Sequence, residues 1–252
     1  MSGHSKWHNI KLKKGKVDAQ RGALFTKLSK EIILAAKSGS PDPEANYRLK
    51  MAVEKAREHN MPQDNIKRAI ARAGGADGAR EIDEIRYEGY GPAGIALVVD
   101  AATDNRNRTA AELRFLFSRH GGSMAESGSV GWMFEPCGLL EIENGDRDDE
   151  ALTEAALVEG VVDVHFDEGS AHGRSTVVTE PAALAAVREA LVRRGLRVTS
   201  LVLGVEAKAA VKPETADVRD VVGLLDALEE HEDVQRVFSN VDLDLAQLEA
   251  LT

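Results

Sequence analysis

Residues 138–204 run GLLEIENGDRDDEALTEAALVEGVVDVHFDEGSAHGRSTVVTEPAALAAVREALVRRGLRVTSLVLG. Leu139–Ile142, Val161–Phe166, Ser175–Thr179 and Leu196–Leu203 are short apolar or β-branched runs, set apart by Gly, Asn, Asp and Pro, and they predict strands. Helical spacing of apolar residues appears around Leu152 and Leu157 and again after Pro181. The resulting order, β-α-β-β-α-β, is the split βαβ or ferredoxin-like arrangement.

Outward from this block, Ile82, Ile85 and Tyr87 predict a strand, GYGPAG a turn, Gly94–Ala102 a buried strand and Val130–Phe134 another. Thr109 and Glu112 read as a capping box for a helix carrying Leu113, Leu116 and Phe117, closed by Gly121-Gly122. A strand-helix-strand set near Val205–Val211, Asp217–Glu230 and Val234–Phe238 is expected to complete the sheet begun at residue 81. Towards the N-terminus, Leu24, Leu28, Ile32 and Ala35 mark one helix that Ser38-Gly39-Ser40-Pro41 stops. Asp42-Pro43 then signals a second helix running to about His59, and a third spans from about Pro62 to Gly74-Gly75. The expectation is an α+β protein: a basic three-helix domain with an N-terminal arm over 1–80, an α/β domain over 81–137 plus 205–252, and a ferredoxin-like domain inserted over 138–204.

The 252 residues carry a net charge of −10, which hides a division. Residues 1–80 hold 17 Lys and Arg against 8 Asp and Glu, whereas residues 81–252 hold 15 against 34. Such asymmetry points to a basic unit that meets a polyanion and an acidic body that does not. No apolar run is long enough to span a bilayer, the N-terminus lacks the apolar core of a signal peptide, and a lone Cys137 excludes an internal disulfide. A soluble, intracellular protein of more than one domain, with no membrane partner, is expected.

Catalytic signatures fail one by one. Gly89, Gly91 and Gly94 spell G-x-G-x-x-G, but a strand-like segment follows where a dinucleotide site needs a helix. His4 and His8 have metalloprotease spacing without the general-base Glu, and Gly15-Lys16 lacks the Ser or Thr of a phosphate-binding loop. Cys137 has no signature of an activated nucleophile. No cofactor is expected. Glu88, Asp100 and Asp104, with Glu126, could hold Mg²⁺ or Mn²⁺, which keeps open an alternative reading as a metal-dependent, structure-selective DNA nuclease.

The stronger signal is cationic. Lys6, Trp7, Lys11, Lys13, Lys14, Lys16 and Arg21 combine phosphate-binding charge with an indole able to stack on a base or to anchor the arm. Lys27 and Lys30 continue the series along the first helix, and Arg48, Lys50, Lys55, Arg57, Lys67, Arg68 and Arg72 extend it over the next two. Asn105, Arg106, Asn107 and Arg108 precede a capped helix, where backbone N–H groups favour an anion; the competing reading is a turn in which Asp104 pairs one arginine.

SGHSKWHNIK, RGALFTKLSKEI, NMPQDNIKRAI, YEGYGPAG, TDNRNRT, HGGSMAESGSVGWMFE and EDVQRVFSN stand in register along nearly the whole chain, and together they resemble the YebC/PmpR family. The resemblance implies a helical domain followed by two α/β domains, and a cytoplasmic location in bacteria or a mitochondrial one in eukaryotes. It also implies one of two roles, a DNA-binding transcriptional regulator or a ribosome-associated translation factor, neither of which needs a catalytic residue. The family's basic arm falls on Lys6, Trp7, Lys11, Lys13, Lys14 and Arg21, and its Asn-Arg loop on Asn105 to Arg108. Ala23, Ala93 in YGPAG and Ser127 depart from the family pattern. The partners expected are DNA or ribosomal RNA, and a ribosome or protein partner through the acidic domains.

Overall fold

A computed structural model describes residues 19–75, 81–166, 173–243 and 247. Among them, 19–75, 81–129 and 220–237 form one compact unit, and 130–166, 173–219 and 238–243 form another. No helix among the described residues is long and apolar enough to cross a membrane.

The first unit opens with three helices, α1 (Ala19–Lys37), α2 (Tyr47–Glu58) and α3 (Gln63–Ala73). Leu28, Ile32 and Ala35 of α1 meet Leu49, Val53 and Ala56 of α2 and Ile66 and Ala69 of α3 in one core, which also takes in Ile82 and Ala102. The helices are therefore continuous with the α/β part of this unit. α2 starts later than its Asp42-Pro43 signal. Asn46 is the cap: its side chain accepts from the Leu49 N–H at 3.1 Å and donates to the carbonyls of Ala35 and Ser40, each at 2.8 Å. A buried amide with three partners outcompetes an exposed Asp-Pro pair for the role.

The α/β part of the unit comprises β1 (Asp83–Tyr90), β2 (Ala96–Thr103), α4 (Arg106–Arg119), β3 (Ser123–Ala125), α7 (Val218–Glu230) and β8 (Val234–Ser239), the strands in sheet order β3-β1-β2-β8. β3 has no signal in the sequence, because three residues are too few to show a period. β1 and β2 form an antiparallel hairpin from Asp83↔Thr103 to Tyr90↔Ala96. Its tip is a single 3₁₀ turn, Pro92–Gly94, closed by Gly91 N–H donating to the Ile95 carbonyl at 2.8 Å. A strand follows the glycines, so no helix dipole is available for a pyrophosphate.

The second unit contains β4 (Phe134–Glu143), α5 (Asp149–Ala156), β5 (Val161–Phe166), β6 (Arg174–Thr179), α6 (Leu184–Arg193) and β7 (Arg197–Ala207). Its sheet runs β5-β6-β4-β7 with antiparallel neighbours, the ferredoxin-like order. Leu140, Ile142, Val177 and Val198 pack against Leu152 of α5 and Leu184, Val187 and Leu191 of α6. Because β8 returns to the first sheet beside β2, this unit interrupts the other in sequence.

Two expected strands differ. Val130–Phe134 is not a strand of its own; Gly131–Met133 is a 3₁₀ turn, and Phe134 opens β4, which continues through Pro136. Pro136 pairs with Val205 of β7, while β6 joins only from Gly138 onward, so the missing N–H falls where β4 has a single neighbour. Likewise β7 does not break at Gly204. A Cβ there would lie 2.8 Å from Leu139 Cδ1, so this glycine serves close approach and not a turn.

Ala93 sits at φ +56°, in the left-handed region that disfavours L side chains, and its methyl group is exposed. Ala93→Gly relieves that strain at the cost of some unfolded-state entropy, and should stabilise the chain by up to ~1 kcal/mol. A urea titration reads this as a higher midpoint at unchanged slope; a lower midpoint would contradict it.

Candidate nucleic-acid interface

The cations of the first unit fall into two populations. Lys30 belongs to the first. It is buried on α1, and its Nζ donates to the Asp233 carboxylate and, at 3.2 Å, to the Glu232 carbonyl. Arg108 reaches the same carboxylate from the first turn of α4, with Nη2 3.1 and 2.9 Å from the two oxygens, and Thr109 Oγ1 donates to it at 2.6 Å. Asp233 has no exposure to solvent. Burial alone would raise its pKa, but the hydrogen bonds from Lys30, Thr109 and Arg108 outweigh that and bring it down to about 2. One turn away along α1, Lys27 Nζ donates to the Glu229 carbonyl.

The Asn-Arg loop is organised by the same contacts. Asn105 caps α4, accepting from the Arg108 N–H at 3.1 Å, so the helix begins ahead of the expected Thr109–Glu112 box. Thr109 is left in the helix interior, where its hydroxyl serves Asp233. Arg106 pairs with Asp83 at 3.0 Å, and Asn107 is exposed. Asp104 stands 3.5 Å from Arg108, a longer approach than that of Asp233.

The second population is exposed. Lys37–Glu81, Arg48–Glu84, Lys50–Glu44 and Lys55–Glu31 are ion pairs of 2.6, 3.0, 3.2 and 3.1 Å whose cations retain solvent contact. Burial would raise the pKa of Glu31, but Lys55 and Arg236 hold it below its usual value. Arg57 at the end of α2, and Lys67 and Arg68 on the outer face of α3, are exposed, while Ile66 and Ala69 turn that helix inward. Arg68 Nε donates to the Asp64 carbonyl at 3.2 Å. Lys6, Trp7, Lys11, Lys13, Lys14 and Lys16, with His4 and His8, lie outside the described residues. So does the side chain of Arg21, whose backbone is in α1.

The carboxylates proposed for a metal are engaged elsewhere. Glu88 is buried and accepts from the Gly128 N–H at 2.8 Å; Asp100 accepts two bonds from Arg86, at 2.7 and 2.9 Å; Asp104 faces Arg108. Among the described residues, the group with metal-ligand spacing is Glu112, His231 and Asp233, whose atoms lie within 4.8 Å of one another. Lys30 and Arg108 already supply positive charge to that carboxylate, so a divalent ion would have to displace them. Cys137 is buried, and burial, with the nearby Glu206, pushes its thiol up to about 11. It is protonated at neutral pH and is no nucleophile.

Asp233 is the residue that sequence reading missed. It stands 203 positions from Lys30 and 125 from Arg108, and nothing local marks one acid among 42 as buried.

Comparison with known proteins follows the same architecture. A family model described as the TACO1/YebC protein N-terminal domain matches residues 5–76, and one described as the TACO1/YebC second and third domain matches 82–241. A Chlorobium luteolum protein named "Probable transcriptional regulatory protein" is 46% identical over 251 residues, covering 100% of this chain and 99% of its own. A Rubrobacter xylanophilus protein of the same name is 48% identical, with 96% of each chain covered. The crystal structure of a conserved hypothetical protein from Aquifex aeolicus is similar, with TM-score 0.82 and 40% identity over 91% of this chain and 93% of that one.

Asp233→Asn would leave Lys30 and Arg108 facing a neutral amide in a dry site, and should cost roughly 3–5 kcal/mol in chemical denaturation. In the native chain the depressed pKa makes Asp233 worth roughly 2 kcal/mol above its unfolded value near 3.8, a contribution lost as pH falls towards 2. The variant should show a correspondingly flatter stability profile between those pH values; equal slopes would remove Asp233 from this role.

Proposed function

Because the chain belongs to the TACO1/YebC family, we propose that it is a nucleic-acid-binding regulator of gene expression that grips phosphates with the cations of its N-terminal 80 residues. The observation that carries this reading is that the cations of the first unit differ in how deeply the acid each one meets is buried. Lys30 and Arg108 are bound to a carboxylate with no solvent contact, and giving them to a phosphate would strand that charge. Arg57, Lys67 and Arg68 stand exposed on α2 and α3, and the exposed pairs of Lys37, Arg48 and Lys50 cost little to exchange. In the sequence, Lys6, Lys11, Lys13, Lys14, Lys16 and Arg21 add further phosphate-binding charge, with Trp7 of a type able to stack on a base. In this reading Lys27 and Lys30 hold the fold behind the contact surface, and Arg106 and Arg108 shape the loop from which Asn107 projects.

The names of the relatives support regulation at the level of transcription. The phosphate chemistry serves duplex DNA and ribosomal RNA alike. No catalytic step is required. The nuclease reading gains nothing from Glu88, Asp100 and Asp104, each held by a protein donor or cation.

Replacing Lys11, Lys13 and Lys14 together by Gln should weaken duplex binding at every sequence and flatten the dependence of log Kd on log salt by about 2–3. Lys67→Gln with Arg68→Gln should act in the same way, by about 1–2. An unchanged slope in both variants would remove these cations from the interface. Co-sedimentation with ribosomes, run beside duplex titrations across salt, separates the two targets: sequence-discriminating duplex binding supports transcription, and ribosome retention with salt-sensitive duplex binding supports translation.

A further inference from the structure

The face of α4 turned away from β1 carries an unusual combination for an acidic surface. Phe115 is 62% exposed. It lies with Ala111, Leu116, Glu112, His231 and Glu232 around an open recess of about 500 Å³. All six residues belong to the first unit, and none takes part in the phosphate grip described above.

The charged residues that line the recess are acidic. His231 Nδ1 accepts from the Asp233 N–H at 3.1 Å, which leaves the ring proton on Nε2, donated to Glu112 Oε2 at 3.0 Å. Both ring nitrogens are engaged in this arrangement. Glu112 keeps a side chain 47% exposed, with His231 3.0 Å and Arg108 3.9 Å from its Oε2. Glu232 is held through its backbone, whose carbonyl accepts from Lys30, while its carboxylate points outward. One anchored carboxylate, Glu112, and one exposed one, Glu232, thus flank an exposed phenyl ring.

We propose that this recess docks a cationic segment of a partner protein, one in which Lys or Arg flanks a leucine- or phenylalanine-sized side chain. Charge complementarity sets the class of occupant. A nucleic acid or an anionic membrane would meet Glu112 and Glu232 as like charges. A basic peptide pairs with both, covers Phe115 with its apolar side chain, and can lay a guanidinium over the ring. The site goes beyond the phosphate surface and uses different residues, so one molecule has separate places for a polyanion and for a basic protein.

The test uses the full-length chain and a fluorescein-labelled peptide, Lys-Arg-Leu-Phe repeated three times, read by anisotropy. Saturable binding is expected, about tenfold weaker in Phe115→Ala and in the double variant Glu112→Gln, Glu232→Gln. A companion peptide with Ser in place of Leu and Phe should also bind about tenfold more weakly to the native chain. Glu232→Gln alone, which alters only an exposed side chain, gives a reading if a variant at α4 fails to fold, and should weaken binding in the same direction. Duplex-DNA affinity should be unchanged in Phe115→Ala, so failure of the phosphate reading and failure of this one are seen in different measurements. Equal peptide affinity in native and variant chains, equal binding of the Ser peptide, or a parallel loss of DNA affinity would overturn the proposal.

Discussion

A carboxylate shut away from water stays ionised only where fixed donors replace its hydration, and Asp233 sets that condition for the first unit. Lys30 comes from α1, Arg108 and Thr109 from α4, and the acceptor from the residue just ahead of β8. None of the three elements can shift by more than a fraction of a hydrogen-bond length without exposing a charge to an apolar surround. The Ala102 N–H donates to the Asp233 carbonyl at 2.7 Å, so the backbone of β2 is tied to the same residue. Hydrophobic burial brings the helices against Ile82 and Ala102, but burial is non-directional. The ionic contact is directional, and it selects one register among the apolar packings available.

That selection also determines which cations can do other work. A guanidinium or ammonium committed to a buried acid is expensive to withdraw, whereas an exposed ion pair contributes between nothing and about 1 kcal/mol and yields readily to a phosphate. The basic surplus of residues 1–80 therefore overstates the charge available for binding, because part of it neutralises acids of the acidic segment. Lys30 with Asp233 is such a pair between the two segments. Composition counts these charges as free, and tertiary structure does not.

The ferredoxin-like unit was legible because its evidence is local. Apolar runs of strand length, helical spacing around Leu152 and after Pro181, and glycine or proline at the joints all appear within a window of a few turns. The errors came where a local signal was outbid by a partner far away in sequence. Asp42-Pro43 looks like a helix start until Asn46 is seen bonded to Ala35 and Ser40. Thr109 looks like a cap until its hydroxyl is found on Asp233. Pro136 and Gly204 look like strand breakers, yet one has a single β-neighbour and the other admits Leu139. Of the candidate interface, the sequence showed which residues carry positive charge. It could not show which of them point inward, since that depends on acids more than a hundred positions away.

An acidic protein that binds a polyanion has to reconcile two ranges of electrostatics. At physiological salt the Debye length is about 8 Å, so carboxylates farther than this from a bound phosphate contribute little to its energy once contact is made. During approach, the acids of residues 81–252 within about a Debye length of the path repel a polyanion. On the proposed reading, exposed cations on a short helix face such as that of α3 offset that repulsion locally and orient the encounter. Cations buried against acids add nothing to this steering, because at a distance each pair looks neutral. On the proposed reading, the division between cations committed to a buried acid and cations that are not is the physical basis for an orienting surface on a molecule whose net charge has the opposite sign.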